Sequence, residues 1–117
     1  MKTQGRLKRH KRSRNRVVGF PEKPRVSVFR TKKHIYAQVI NDQDSKTVAS
    51  SSTQTKEFKS KNIKTTDKKA AETVGLMLAD KVKTIGIKKV CFDKSGYKYH
   101  GRIKALTDGL RKGGLDF

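Results

Sequence analysis

The first clear alternation of apolar and polar positions is Arg25-Val26-Ser27-Val28-Phe29-Arg30, whose two-residue period predicts a strand. A short turn, Thr31-Lys32-Lys33, leads to a second strand, His34-Ile35-Tyr36-Ala37-Gln38-Val39-Ile40, with Ile35, Ala37 and Val39 on one face. Asn41-Asp42-Gln43-Asp44-Ser45 has the composition of a turn. Lys46 to Thr53 predicts a third strand, polar and rich in small residues. Strands joined by turns this short form an antiparallel meander.

Residues 54–65 are polar, carry Lys56, Lys59, Lys61 and Lys64, and read as a loop suited to phosphate contact. The period then lengthens. Ala71, Val74, Leu78, Val82 and Ile85 recur at spacings of three or four, the stripe of one helix face. Thr66 or Asp67 can cap its start and Gly86 can close its end. Gly75 lies inside it, at a cost of up to about 1 kcal/mol relative to alanine, so either the helix packs closely there or something approaches its backbone. Ile87 to Asp93 predicts a fourth strand. A strand reached through a helix implies a parallel crossover beside an earlier strand. The last helix carries Ile103, Leu106 and Leu110 on one face and ends at Gly113-Gly114. The expected fold is one α/β domain over residues 25–117. It has a mixed sheet of about four strands and two helices, in the order β-β-β-α-β-α, with at least one sheet face covered.

Charge changes the picture of what precedes that domain. The chain has 117 residues, 30 Lys+Arg against 10 Asp+Glu, and a formal net charge of +20. Self-repulsion on this scale opposes a compact state unless an anionic partner is bound. Residues 1–24 alone hold nine basic groups and one acid, Glu22. Among them Arg6, Lys8, Arg9, Lys11, Arg12, Arg14 and Arg16 crowd a stretch whose only large aliphatic after Met1 is Leu7. Such a segment cannot bury enough apolar area to offset its ordering entropy. Its arginines suit bidentate phosphate contacts and stacking on bases. It reads as a nucleic-acid-binding arm; a solvated tail without a specific partner and an organelle transit peptide are the competing readings.

The remaining chemistry is sparse. Lys94, Lys98, Arg102 and Lys104 surround Tyr97, Tyr99 and His100, with Gly96 and Gly101 as hinges, where a strand feeds a helix N-terminus. Cations, stackable rings and glycines in one loop suit an RNA backbone with unpaired bases; the plainer reading packs the tyrosines on the core. Cys91 sits between Val90 and Phe92 and reads as a small buried hydrophobe. A lone cysteine forms no intrachain disulfide, and a reducing, intracellular compartment is expected. His10, His34 and His100 fall in separate elements, so no metal site and no cofactor is expected. Asp93, at the end of the fourth strand, is the best-placed carboxylate for catalysis but has no evident carboxylate partner for a metal-dependent nuclease. No stretch is apolar enough to span a membrane, and no motif suggests a small-molecule substrate.

Three stretches carry a family resemblance: Pro24-Arg25-Val26-Ser27-Val28-Phe29-Arg30-Thr31-Lys32-Lys33-His34-Ile35-Tyr36-Ala37-Gln38-Val39-Ile40, then Phe92-Asp93-Lys94-Ser95-Gly96-Tyr97-Lys98-Tyr99-His100-Gly101-Arg102-Ile103-Lys104-Ala105-Leu106, then Gly114-Leu115-Asp116-Phe117. Together they closely resemble the bacterial-type large-subunit ribosomal protein L18 family, over essentially the whole chain. The resemblance implies a non-catalytic structural constituent of the large subunit that binds 5S rRNA and helps attach it to 23S rRNA in the central protuberance. It implies neighbouring ribosomal proteins as further partners, and residence in a bacterial cytoplasmic or a plastid ribosome. It also implies a topology related to ribonuclease-H-like domains without their carboxylates. The rRNA-contact residues it implies are Arg6, Lys8, Arg9, Lys11, Arg12, Arg14 and Arg16 of the arm, Arg30, Lys32, Lys33 and His34 of the first turn, and Tyr97, Lys98, Tyr99, His100, Gly101 and Arg102 of the loop. Three departures stand out: Ser95 where the family often has glycine, the lysine-rich stretch at 54–65, and Gly109 inside the last helix. The alternative class is a nuclease on the related fold, cleaving with Mg²⁺ through Asp93.

Overall fold

The computed structural model of the chain describes residues 19–95, 97 and 101–117. The elements run β1 (Arg25–Arg30), β2 (Ile35–Asn41), β3 (Lys46–Ser52), α1 (Lys56–Lys59), α2 (Lys68–Ile85), β4 (Cys91–Asp93) and α3 (Arg102–Lys112). They build one four-stranded sheet in the order β3-β2-β1-β4. β1 pairs antiparallel with β2, and β2 with β3, as the meander requires. β4 lies parallel to β1, with Arg25 opposite Cys91 and Ser27 opposite Asp93, so the chain crosses over through α2. The mixed α/β fold expected from the pattern is the fold observed.

The two-residue period decides which side of the sheet is dry. Val26, Val28, Ile35, Ala37 and Val39 are all buried on one face. Against it lie Ala71, Val74, Leu78 and Val82 of α2 and Ile103, Leu106 and Leu110 of α3, also buried. Ile85, the last position of the expected helical stripe, is instead 53% exposed. The helix ends there: Gly86, at φ 97°, lets its own N–H reach the carbonyl of Lys83 and that of Ile87 reach Val82. Ile85 thus sits on the turn that leaves the sheet. Asp67 occupies the N-cap position of α2, but its side chain makes no capping hydrogen bond.

The interior glycines of α2 and α3 are matched. A Cβ on Gly75 would lie 2.3 Å from the carbonyl oxygen of Leu106, and one on Gly109 would lie 2.1 Å from that of Glu72. The two helices cross backbone against backbone at these positions, which is the close packing Gly75 implied.

Three further readings need correction. The 54–65 stretch is not a simple loop, for it contains the single turn α1, capped by Thr55 Oγ1 accepting the N–H of Phe58 at 3.3 Å. That turn drives Phe58 into the core, where it is 1% exposed. The fourth strand is shorter than expected; Lys89 is joined by a parallel bridge to Asp116, and Asp116 donates to Lys88 O at 2.8 Å. Cys91 is only half buried, while Val90 is fully buried. The backbone register gives the core-facing position to Val90, so the Cys91 thiol points toward the carbonyls of Pro24 and Lys23, at 3.7 and 3.9 Å. Burial pushes that thiol's pKa up, with Lys23 partly opposing.

Candidate nucleic-acid interface

The β1–β2 hairpin ends in a turn closed by Thr31 and His34. Thr31 N–H donates to His34 O at 2.8 Å, and Thr31 Oγ1 accepts from the N–H of His34 at 3.1 Å. This pins the ends of the turn and leaves Lys32 and Lys33 exposed between them. His34 is fixed as well: its Nδ1 lies 2.8 Å from Thr53 Oγ1, which also accepts the N–H of Ile35 at 3.2 Å.

The segment after β4 returns to the same hairpin end. Ser95 holds the left-handed conformation, φ 57°, that a glycine adopts freely. The turn is secured by Ser95 N–H donating to Asp93 Oδ1 at 2.9 Å and by a 3.2 Å contact between the hydroxyls of Ser95 and Ser27. Tyr97 is then carried inward and is 9% exposed. Its hydroxyl accepts the N–H of Arg30 at 3.2 Å and donates to Arg30 O at 3.3 Å. The Arg30 guanidinium covers the ring, 5.2 Å from its centroid. A ring so enclosed has no face open for a base. Tyr97 thus packs inward, as the plainer reading of the loop had it, and fixes the strand end that carries Arg30.

Arg102, in the first turn of α3 after Gly101, completes the cluster. Its Nη2 donates to Thr31 O at 2.7 Å. Its Nη1 is buried and has no hydrogen-bond partner among the described residues. Burial lowers the Arg102 pKa, and the charge of Arg30 lowers it further. No carboxylate forms an ion pair with Arg30, Lys32, Lys33 or Arg102 among the described residues. The structure thus brings Arg30, Lys32, Lys33, His34, Tyr97, Gly101 and Arg102 to one end of the sheet. Arg6, Lys8, Arg9, Lys11, Arg12, Arg14, Arg16, Lys98, Tyr99 and His100 lie outside the described residues.

At the opposite end of β1, Arg25 is clamped between two acids. Its Nε and Nη2 donate to Asp42 at 3.0 and 3.1 Å, and its Nη1 to Asp93 at 3.1 Å. Burial alone would lower its pKa, but the hydrogen bonds and charges of Asp42 and Asp93 outweigh burial and raise it. Asp42 also accepts the N–H of Gly19 at 2.6 Å, tying the segment before β1 to the sheet. Asp93 is 0% exposed, with one oxygen on Arg25 and the other on Ser95 N–H. A carboxylate committed in this way is an internal counter-ion, which removes the residue that the nuclease alternative required. Among the described residues, no group of three or more His, Cys, Asp or Glu side chains is gathered to hold a metal.

Sequence reasoning missed this clamp and also the uncovered side of the sheet. There Phe29 is 49% exposed, and its ring centroid lies 5.9 Å from that of the Tyr36 ring. The signal was present: Phe29 and Tyr36 alternate with the buried positions and so must face the other way.

The family described as ribosomal L18 of archaea, bacteria, mitochondria and chloroplast matches residues 1–117. The chain is 52% identical to the large ribosomal subunit protein uL18 of Thermotoga petrophila over 116 residues, covering 99% of the chain and 95% of the relative. It is 52% identical to the protein of the same name from Petrotoga mobilis over 112 residues, covering 96% and 92%. To that from Clostridium botulinum it is 47% identical over 116 residues, covering 99% and 95%.

Proposed function

The chain belongs to the ribosomal L18 family, and from that premise we propose that it binds 5S rRNA and helps attach it to 23S rRNA in the central protuberance of the large ribosomal subunit. It is a structural component of the ribosome and not an enzyme. Its bacterial relatives are ribosomal proteins, which gives the cytoplasmic ribosome as its location; in this reading other large-subunit proteins are its neighbours. Among the described residues, no helix is long and apolar enough to cross a membrane.

The observation that carries the RNA-binding reading is the group of Arg30, Lys32, Lys33 and Arg102, fixed in place by Tyr97 and Thr31 and unopposed by any acid among the described residues. Holding two guanidiniums side by side costs repulsion, which an anion between them would reverse. Phosphates of an RNA backbone supply that anion, and the released counterions make binding steeply salt-dependent. The basic arm, with Arg6, Lys8, Arg9, Lys11, Arg12, Arg14 and Arg16, adds a second zone of phosphate contact in this reading. Lys98, Tyr99 and His100, which follow Tyr97 in the sequence, are further contacts in this reading. A folded, rigid surface selects RNA by shape and by its unpaired bases.

The test is a salt titration of binding to 5S rRNA and to a DNA duplex of equal length, both with Mg²⁺ present. Tighter binding to 5S rRNA, a log–log slope corresponding to several phosphates at about 0.7–0.9 each, and no cleavage are expected. Equal affinity for both nucleic acids would refute the reading, and so would Mg²⁺-dependent cleavage.

A further inference from the structure

We propose that a cleft on the uncovered face of the sheet is a binding site for one unpaired base of the bound RNA. The proposal rests on the rRNA-binding reading and adds to it a contact of a different chemistry.

α2 and α3 lie against the face that carries Val26, Val28, Ile35, Ala37 and Val39. On the other face, the cross-strand partners Ser27–Gln38 and Phe29–Tyr36 sit side by side. They border a concave space of about 410 Å³ lined by Ser27, Val28, Phe29, Tyr36 and Gln38. That volume lies within the range of small-ligand sites, about 300–1,000 Å³. Its aromatic wall is preorganised. Phe29 and Tyr36 are tilted by 33° at a centroid distance of 5.9 Å, and the His34 ring lies 6.3 Å from that of Tyr36. His34 is in turn held by Thr53, so the wall is anchored to the residue that follows β3.

Three properties select the occupant. First, a half-exposed phenylalanine beside a tyrosine offers a flat apolar surface, which suits a planar ring. Second, the exposed Gln38 amide has a donor and an acceptor in one plane, as the edge of a base does. Third, the surrounding charge suits a polyanion. Exposed Lys32 and Lys33 stand at the hairpin turn, and no acid lines the cleft. Beyond Ser27, Asp42 and Asp93 are already engaged by Arg25. A backbone drawn along the lysines can turn one base into the cleft, provided that base is not paired.

The test uses the full chain and intact 5S rRNA. Stacking carries no net charge, so the Phe29→Ala variant should bind about tenfold or more weakly with an unchanged salt slope. Phe29→Tyr should bind as the unaltered chain does. With p-benzoylphenylalanine in place of Phe29, irradiation of the complex should join the protein to an unpaired nucleotide. Millimolar 5′-AMP should leave the complex intact. Unaltered affinity of Phe29→Ala in a complex that forms would overturn the cleft and leave the RNA-binding reading standing. A slope reduced by one unit or more would show that the change moved a cation, and would likewise overturn it. Crosslinking to a paired nucleotide or to the protein's own residues 1–18 would overturn it, as would displacement by 5′-AMP. Failure of the unaltered chain to bind 5S rRNA at low salt would remove both readings. Should Phe29→Ala unfold, Phe29→Leu keeps apolar bulk without a ring and decides the same point.

Discussion

Gly109→Ala should destabilise the fold, although alanine is the better helix former. The added Cβ would stand 2.1 Å from the Glu72 carbonyl oxygen and 2.9 Å from its carbonyl carbon. A carbon needs roughly 3.3 Å from a carbonyl oxygen, so α2 and α3 must part by about 1 Å. A gap of that size forfeits a quarter to a half of each dispersion contact along the seam. The seam here is Ala71, Val74 and Leu78 against Leu106 and Leu110, all buried. Overpacking of this kind costs about 1–3 kcal/mol, and the clash with rigid backbone puts the case at the upper end. Helix propensity returns up to about 1 kcal/mol. The net expectation is a loss of about 2 kcal/mol. Urea denaturation reads it as a midpoint lowered by 1 M or more at unchanged slope, for a slope of about 1–2 kcal/mol/M. Gly75→Ala should behave alike, its Cβ meeting Leu106 O at 2.3 Å. The double variant should lose less than the sum, because helices already parted by one methyl admit the second. Gly86→Ala is the control: nothing lies within 4 Å of its Cβ, and only its φ of 97° opposes the change, at about 1 kcal/mol. A Gly109→Ala midpoint equal to or above that of the unaltered chain would refute the close crossing.

Asp93→Asn keeps the shape but weakens the charge-assisted hydrogen bond from Arg25, 7% exposed, which Asp42 still neutralises; a loss of about 1–2 kcal/mol is expected, and an unchanged thermal midpoint would contradict the clamp. Tyr97→Phe removes both hydrogen bonds to the Arg30 backbone and should cost about 1 kcal/mol while weakening 5S rRNA binding without altering its salt slope; a full loss of binding would show direct contact instead. Because burial raises the Cys91 thiol pKa, its alkylation at pH 8 should be slower than that of a cysteine peptide. The sign for stability follows, since the unfolded thiol ionises first: stability from this group is intact below about pH 8.5 and declines above it, and a Cys91→Ala variant should lack that decline. Removing residues 1–16 should leave the unfolding midpoint unchanged and flatten the salt slope of 5S rRNA binding; an unchanged slope would exclude the arm from phosphate contact.

Much of this architecture was legible where residues alternate or recur with a helical period. β1 and β2 have a clear inside and outside, and α2 reads from its stripe. Phe58 was hidden because its neighbours are lysines, and a single helical turn is too short to show a period. Cys91 was assigned to the core because Val90-Cys91-Phe92 is apolar throughout and offers no alternation from which to choose a face. Part of the candidate site was legible too, for the clustering of cations with aromatics pointed to the segment that holds Tyr97 and Arg102. What did not show was that Tyr97 turns inward, a choice made by the backbone of Arg30 in another element. The Arg25 clamp was equally invisible, since its acids come from positions 17 and 68 residues away and each alone reads as an ordinary surface charge.

Those two separations also impose an order on folding. The β1–β3 meander is local and can close early, and with it Asp42 reaches Arg25. Asp93 arrives only when the crossover has formed and β4 has docked beside β1. Until then the guanidinium is neutralised by Asp42 but its Nη1 lacks the hydrogen bond to Asp93, which disfavours a sheet that stops at three strands. The clamp is thereby completed late, when β4 docks. Contacts completed only after the transition state act on escape from the native state, so the Arg25–Asp93 bond governs how long the folded chain lasts more than how fast it forms.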